Sequence, residues 1–94
     1  MGRNEGGATL QVSGVARVST TSDGTAVMEI AGRPAFQLNR VAVSIWTKLV
    51  DGRSPQDISS EIAKEFGAPE ELTTKDVARF IDKLKIYCLL YDND

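Results

Sequence analysis

"PAFQLNRVAVSIW", residues 34–46, changes its apolar period within one residue. Phe36 and Leu38 alternate, as on a strand with one buried face. Ala42, Ile45, Trp46 and Leu49 then follow at i, i+3, i+4 and i+7, as on a helix. Asn39 stands at the join and is a residue type that caps helix starts. A strand therefore runs into a helix with almost no loop, which leaves a corner where the two elements diverge.

Upstream, the apolar residues come in short alternating runs: "VARVS" around Val15 and Val18, "AVMEI" around Met28 and Ile30, then "AFQL". Turn residues separate them, "SDG" at 22–24 and "AGRP" at 31–34. The pattern predicts three short antiparallel strands near 15–19, 26–30 and 34–38. A proline fits a strand only at its start or on a sheet edge, so Pro34 marks the third strand as an edge.

Downstream, helix one is expected over 40–51, with Gly52 as its stop. Ser54 offers the next N-cap, with Pro55 at the first helical position and Asp57 where a capping box places Glu. Ile58, Ile62 and Phe66 then recur at spacing four, and Gly67 ends helix two, over 55–66. Thr73 or Thr74 is expected to cap a third helix reaching about Leu89. On a helical wheel, Val77, Ile81, Leu84 and Cys88 form a core-facing seam, which makes Cys88 an inert buried thiol. Asp76, Phe80, Lys83 and Tyr87 form a second stripe. It is open to two readings: a core edge with Phe80 buried and the Tyr87 hydroxyl in water, or the wall of a half-open groove. The expected fold class is α+β, winged-helix-like, a three-stranded antiparallel sheet followed by three helices. Residues 1–11, Gly-rich and polar, are expected to be a disordered N-terminal tail, and 12–94 the domain.

With 94 residues, 41% hydrophobic and 26% charged, the chain can build one modest core. A net charge of −2, from 11 basic and 13 acidic residues, gives no global field for nucleic acid. No long basic run points to a membrane surface. One cysteine excludes an internal disulfide, and the start "MGRNEGGATL" lacks the apolar core of a signal peptide. A cytoplasmic location is expected. The chain has no histidine, so it has no Ser-His or Cys-His pair and no imidazole metal site. No glycine-rich phosphate loop follows a strand, and Glu70 and Glu71 are accounted for by helix-start electrostatics. No catalytic residue, metal or cofactor is expected. Lys75, Arg79 and Lys83, at i, i+4 and i+8, form a basic face with three readings: a solvated surface, contacts to peptide carboxylates, or the recognition helix of a winged-helix DNA-binding regulator. Asp76 and Asp82 interleave with the basic residues, and the strands precede the helices, whereas a winged helix usually places its hairpin after the recognition helix.

The motifs "DG" at 23–24, "FQLNRVAVSIWTKLVDGRSPQDISSEIAKEF" at 36–66 and "DVARFIDKL" at 76–84 resemble, in order and spacing, the pattern of PqqD-like proteins. The likeness covers roughly residues 12–91. Cys88 stands where many such proteins have glycine, and Val41 and Ala42 replace commoner small or hydroxyl residues. The resemblance implies a non-catalytic recognition element, a peptide chaperone for ribosomally made, post-translationally modified peptides. Its partners would be the leader of a precursor peptide and a maturation enzyme, either a radical-SAM protein of PQQ biosynthesis or a leader peptidase of a lasso-peptide system. The leader would add as a strand to the third strand, against the third helix. On this sequence the implied site is Pro34, Ala35, Phe36, Gln37, Leu38, Asp76, Arg79, Phe80, Lys83 and Tyr87. A purely structural subunit of an enzyme complex is the remaining alternative.

Overall fold

A computed structural model describes residues 9–93. In chain order these form β1 (Thr9–Val12), β2 (Ala16–Thr20), β3 (Ala26–Ile30), β4 (Arg33–Leu38), α1 (Arg40–Val50), α2 (Pro55–Phe66), α3 (Glu70–Ile86) and β5 (Leu90–Asn93). The architecture is α+β. The antiparallel sheet β2-β3-β4 precedes the helices, and β1 pairs with β5 in a second, two-stranded sheet.

Local chemistry explains most boundaries. Asp23 accepts hydrogen bonds from the Thr21 and Thr25 hydroxyls and from the Thr25 N–H, which closes the β2–β3 turn. Ala31 and Gly32 both take positive φ, 53° and 85°, the backbone of a two-residue hairpin turn whose twist matches the strands it joins. The Asn39 side chain accepts from the Ala42 N–H at 2.8 Å and opens α1 directly after β4. The Ser54 hydroxyl does the same for α2, and Gly67, left-handed at φ 65°, closes it. One buried cluster unites the elements: Met28 from the sheet, Ile45, Trp46 and Leu49 from α1, Ile58 and Ile62 from α2, Val77, Ile81 and Leu84 from α3, and Leu89 and Leu90 beyond it.

Three expectations are corrected. First, α3 begins at Glu70, not at a Thr cap. Pro69 takes the N-cap position, and the Thr73 and Thr74 hydroxyls donate back to the carbonyls of Pro69 and Glu70 four residues earlier, as Ser and Thr do inside helices. Second, α3 ends at Ile86, and Cys88 is exposed rather than buried on the seam. Cys88 takes φ 60°, its N–H donates to the Lys85 carbonyl at 3.0 Å, and the Leu89 N–H donates to the Leu84 carbonyl at 2.8 Å. This is a Schellman closure, with fully buried Leu89 packed where the motif places its hydrophobic contact. Third, the expectation of disorder through residue 11 does not hold for residues 9–11: Thr9–Val12 is β1, paired with β5 in register Val12↔Leu90. Residues 1–8 of that tail lie outside the described residues. Among the described residues no helix is long and apolar enough to cross a membrane.

Candidate functional site

The alternation of the ladder shows which backbone groups the sheet leaves unused. The Thr21 N–H donates to the Thr25 carbonyl and the Ala31 N–H to the Val15 carbonyl, so the odd-numbered residues of β3 turn their backbone toward β2. In an antiparallel ladder the even-numbered Ala26 and Met28 then face β4. Their register partners Leu38 and Phe36 face back toward β3, and the N–H and C=O of Gln37 point off the sheet. β4 is an edge, as the position of Pro34 predicts. The register slips by one between Met28 and Glu29, which pair with Phe36 and Pro34. Ala35 is therefore an extra residue, a bulge that re-aims the edge. Pro34 brings no N–H to it.

Side chains divide by face. Leu38 is buried in the core and Phe36 is half-buried beside it, while Pro34, Ala35 and Gln37 are exposed. Across from Phe36 stands the last part of α3. The ring centroids of Phe36 and Tyr87 lie 5.0 Å apart at an interplanar angle of 58°, a tilted contact that aromatic quadrupoles favour. The Lys83 ammonium lies 4.3 Å from the Phe36 centroid, within cation–π range. Phe80 is half-buried and packs against the core cluster. Further along, Asp76 lines a cleft of about 250 Å³ with Asn39, Val41, Ala42 and Ile45. Arg79 is exposed and makes no ion pair among the described residues.

The structure thus brings Phe36, Lys83 and Tyr87 together near the end of α3 and sets Asp76 beside Asn39 at the start of α1, with Phe80 between them along the helix. Ten helical residues lie between Asp76 and Tyr87, roughly 16 Å for eleven steps of 1.5 Å, a span that about five residues of extended chain would match. The sequence reading missed Asn39, Val41, Ala42 and Ile45 as lining residues. The immediate passage from β4 into α1 carried that signal, because the first turn of such a helix must border the strand's end. The Ala35 bulge had only Pro34 to hint at it.

Two solved structures share this fold. One, described as "TbiB1 in Complex with the TbiA(beta) Leader Peptide", aligns with a TM-score of 0.76 at 23% identity, covering 89% of this chain and 98% of that one. The other, "Lasso peptide synthetase B1 complexed with the leader peptide", aligns with a TM-score of 0.73 at 24% identity, covering 87% and 96%. No curated protein matches the chain. The sequence pattern described as Coenzyme PQQ synthesis protein D (PqqD) matches residues 24–90. That span runs from the β2–β3 turn, through the strand-to-helix corner and all three helices, to the start of β5, and on it the chain belongs to the PqqD family.

Proposed function

We propose that this chain is a non-catalytic recognition element that binds the leader of a ribosomally made precursor peptide and presents it to a separate maturation enzyme in the cytoplasm. The observation that carries this reading is the outward-facing backbone of Gln37 beside the wall of Phe36, Lys83 and Tyr87. An extended peptide can satisfy an unpaired edge whatever its side chains are, while pockets on alternate residues select among peptides. The descriptions of the two solved structures as leader-peptide complexes support the same reading.

Each added ladder bond contributes a net ~0.5–1.5 kcal/mol, and the Ala35 bulge and Pro34 limit their number. Most selectivity then falls to the side-chain contacts. Peptide residues flanking the one opposite Gln37 turn their side chains inward, toward Phe80 and the aromatic pair. The cleft at Asn39 and Asp76 fits a side chain with an apolar body and a polar tip, since its floor is apolar and its rim carries the Asp76 carboxylate and the Asn39 amide, whose oxygen already accepts from the Ala42 N–H. Arg79 and Lys83 can meet leader carboxylates along the rim. The maturation enzyme belongs to one of the two classes the family resemblance implies, a radical-SAM protein or a leader peptidase.

The test is a backbone scan of the leader encoded beside this gene. N-methylation removes one N–H at a time, and titration calorimetry then reads the affinity of each peptide. Strand addition predicts losses at alternate residues of one short segment. Losses spread evenly, or none, would contradict it.

A further inference from the structure

Among the described residues Ser59 and Thr73 are the buried polar ones, and they differ in one respect. Thr73 donates its hydroxyl to the Pro69 carbonyl four residues back, as Thr47 and Thr74 do to Val43 and Glu70. Ser59, 5% exposed, has no hydrogen-bond partner for its side chain among the described residues. A buried hydroxyl without a partner costs free energy that alanine at the same place would not. Ser59 lines a cleft of about 260 Å³ between α2 and α3, so a group entering the cleft can supply the missing partner.

The rest of the lining selects what enters. Pro55, Val77 and Ala78 give the cleft its apolar wall, and Glu70 carries its one formal charge. The Glu70 carboxylate accepts from the Ser60 hydroxyl at 3.2 Å and has capacity for further donors. The Thr74 hydroxyl, also in the lining, gives its proton to the Glu70 carbonyl, so toward the cleft it can only accept. An anion would meet the Glu70 carboxylate. The helix starts that attract anions are already served, α2 by Ser54 and Asp57 and α3 by Glu70 and Glu71. Both walls are helices, whose backbone groups are bonded internally, so the cleft takes a side chain rather than a strand.

We infer that this cleft seats an arginine side chain of the maturation enzyme. The arginine stem covers Pro55, Val77 and Ala78. Its guanidinium, a weakly hydrated cation with its donors in a rigid fork, reaches the Glu70 carboxylate and the Ser59 and Thr74 hydroxyl oxygens. The position of the cleft names the partner. At about 100° per residue, Glu70, Thr74, Val77 and Ala78 lie roughly 140° round α3 from Asp76, Phe80 and Lys83. Leader and enzyme can then be held at once, on different faces of one helix, which is what presenting a peptide requires. The inference rests on the reading that a separate enzyme receives the peptide.

Calorimetric titration of the full chain with the maturation enzyme encoded beside this gene, and separately with the leader, tests this, with circular dichroism confirming that each variant folds. Ser59→Ala removes the hydroxyl, Glu70→Gln removes the charge but keeps an acceptor for Ser60, and Ala78→Leu fills the cleft from an exposed position. Each should weaken enzyme binding about tenfold or more and leave leader affinity within about twofold. Acetyl-arginine amide at millimolar concentration should shift the backbone amides of Ser59, Glu70 and Ala78, and uncharged acetyl-citrulline amide should not. Variants that bind the enzyme as tightly as the wild-type chain overturn the inference, as does an equal response to the two amides. If the wild-type chain takes the leader and not the enzyme, the inference falls while leader recognition stands. An enzyme bound through the cleft by a chain that takes no leader keeps the inference and removes leader recognition.

Discussion

Lys83 holds its ammonium 4.3 Å from the centre of the Phe36 ring, so a helix and an edge strand far apart in sequence share one contact. Tyr87 packs on the same ring. This pair of contacts ranks the side chains by their effect on a bound peptide. Tyr87→Ala removes a half-exposed aromatic wall and should weaken leader binding by about 2 kcal/mol, as loss of an aromatic anchor does. Arg79→Ala, at an exposed rim position, should cost at most ~1 kcal/mol. Titration calorimetry against one leader peptide measures both, and equal losses would reverse the ranking.

Trp46 is 7% exposed and sits with Ile45 and Leu49 in the central cluster. Trp46→Ala should destabilise the fold by ~3–5 kcal/mol, a large share of what a domain of this size possesses. Urea unfolding monitored by circular dichroism checks it. A variant of normal stability that no longer binds peptide would assign Trp46 to the site instead.

Cys88 occupies a left-handed backbone position, φ 60°, that the Schellman closure of α3 demands and that L side chains adopt at a cost. Cys88→Gly should therefore stabilise the chain by about 0.5–1 kcal/mol, the relief of strain exceeding the entropy that glycine adds to the unfolded state. Thermal unfolding of the two forms under reducing conditions compares them. A lower midpoint for the glycine variant would contradict the strain argument.

Asp23 carries the pH dependence of the β2–β3 turn. Hydrogen bonds from the Thr21 and Thr25 side chains, and from the Thr25 N–H, lower its pKa from 3.8 to about 2. A carboxyl with a depressed folded value adds stability that is present above its unfolded pKa and is lost as pH falls through the folded one. The turn should hold at neutral pH and loosen between about pH 4 and pH 2. Carbon-detected NMR titration of the Asp23 carboxyl reads this directly, and Asp23→Asn should remove the transition.

The strand-to-helix corner could be read from sequence because both of its periods and its cap are local: Leu38 points inward, Asn39 caps, and Ile45 and Trp46 continue the burial. The edge status of β4 followed from one proline. The β1–β5 sheet was not readable, since Val12 and Leu90 meet only through the closed fold and neither strand is long enough to show a period. The end of α3 was misread because its apolar spacing continues smoothly through Cys88. The helix stops there for a backbone reason, the left-handed φ of Cys88. In the site, the aromatic and charged stripe of α3 was visible, but its contact with Phe36 depends on packing, and the lining at Asn39 and Ala42 on the absence of a loop.

The central claim is strand addition at β4, and amide chemical-shift mapping with the precursor leader tests it most directly. Saturating peptide should shift the amides of Ala35, Gln37 and Asn39 together with those of α3 around Phe80, Lys83 and Tyr87. The Gln37 N–H should become protected from hydrogen exchange when its carbonyl and N–H enter the new ladder. Shifts confined to α2 and the 67–69 turn, or a Gln37 amide that exchanges as fast with peptide as without it, would contradict the account.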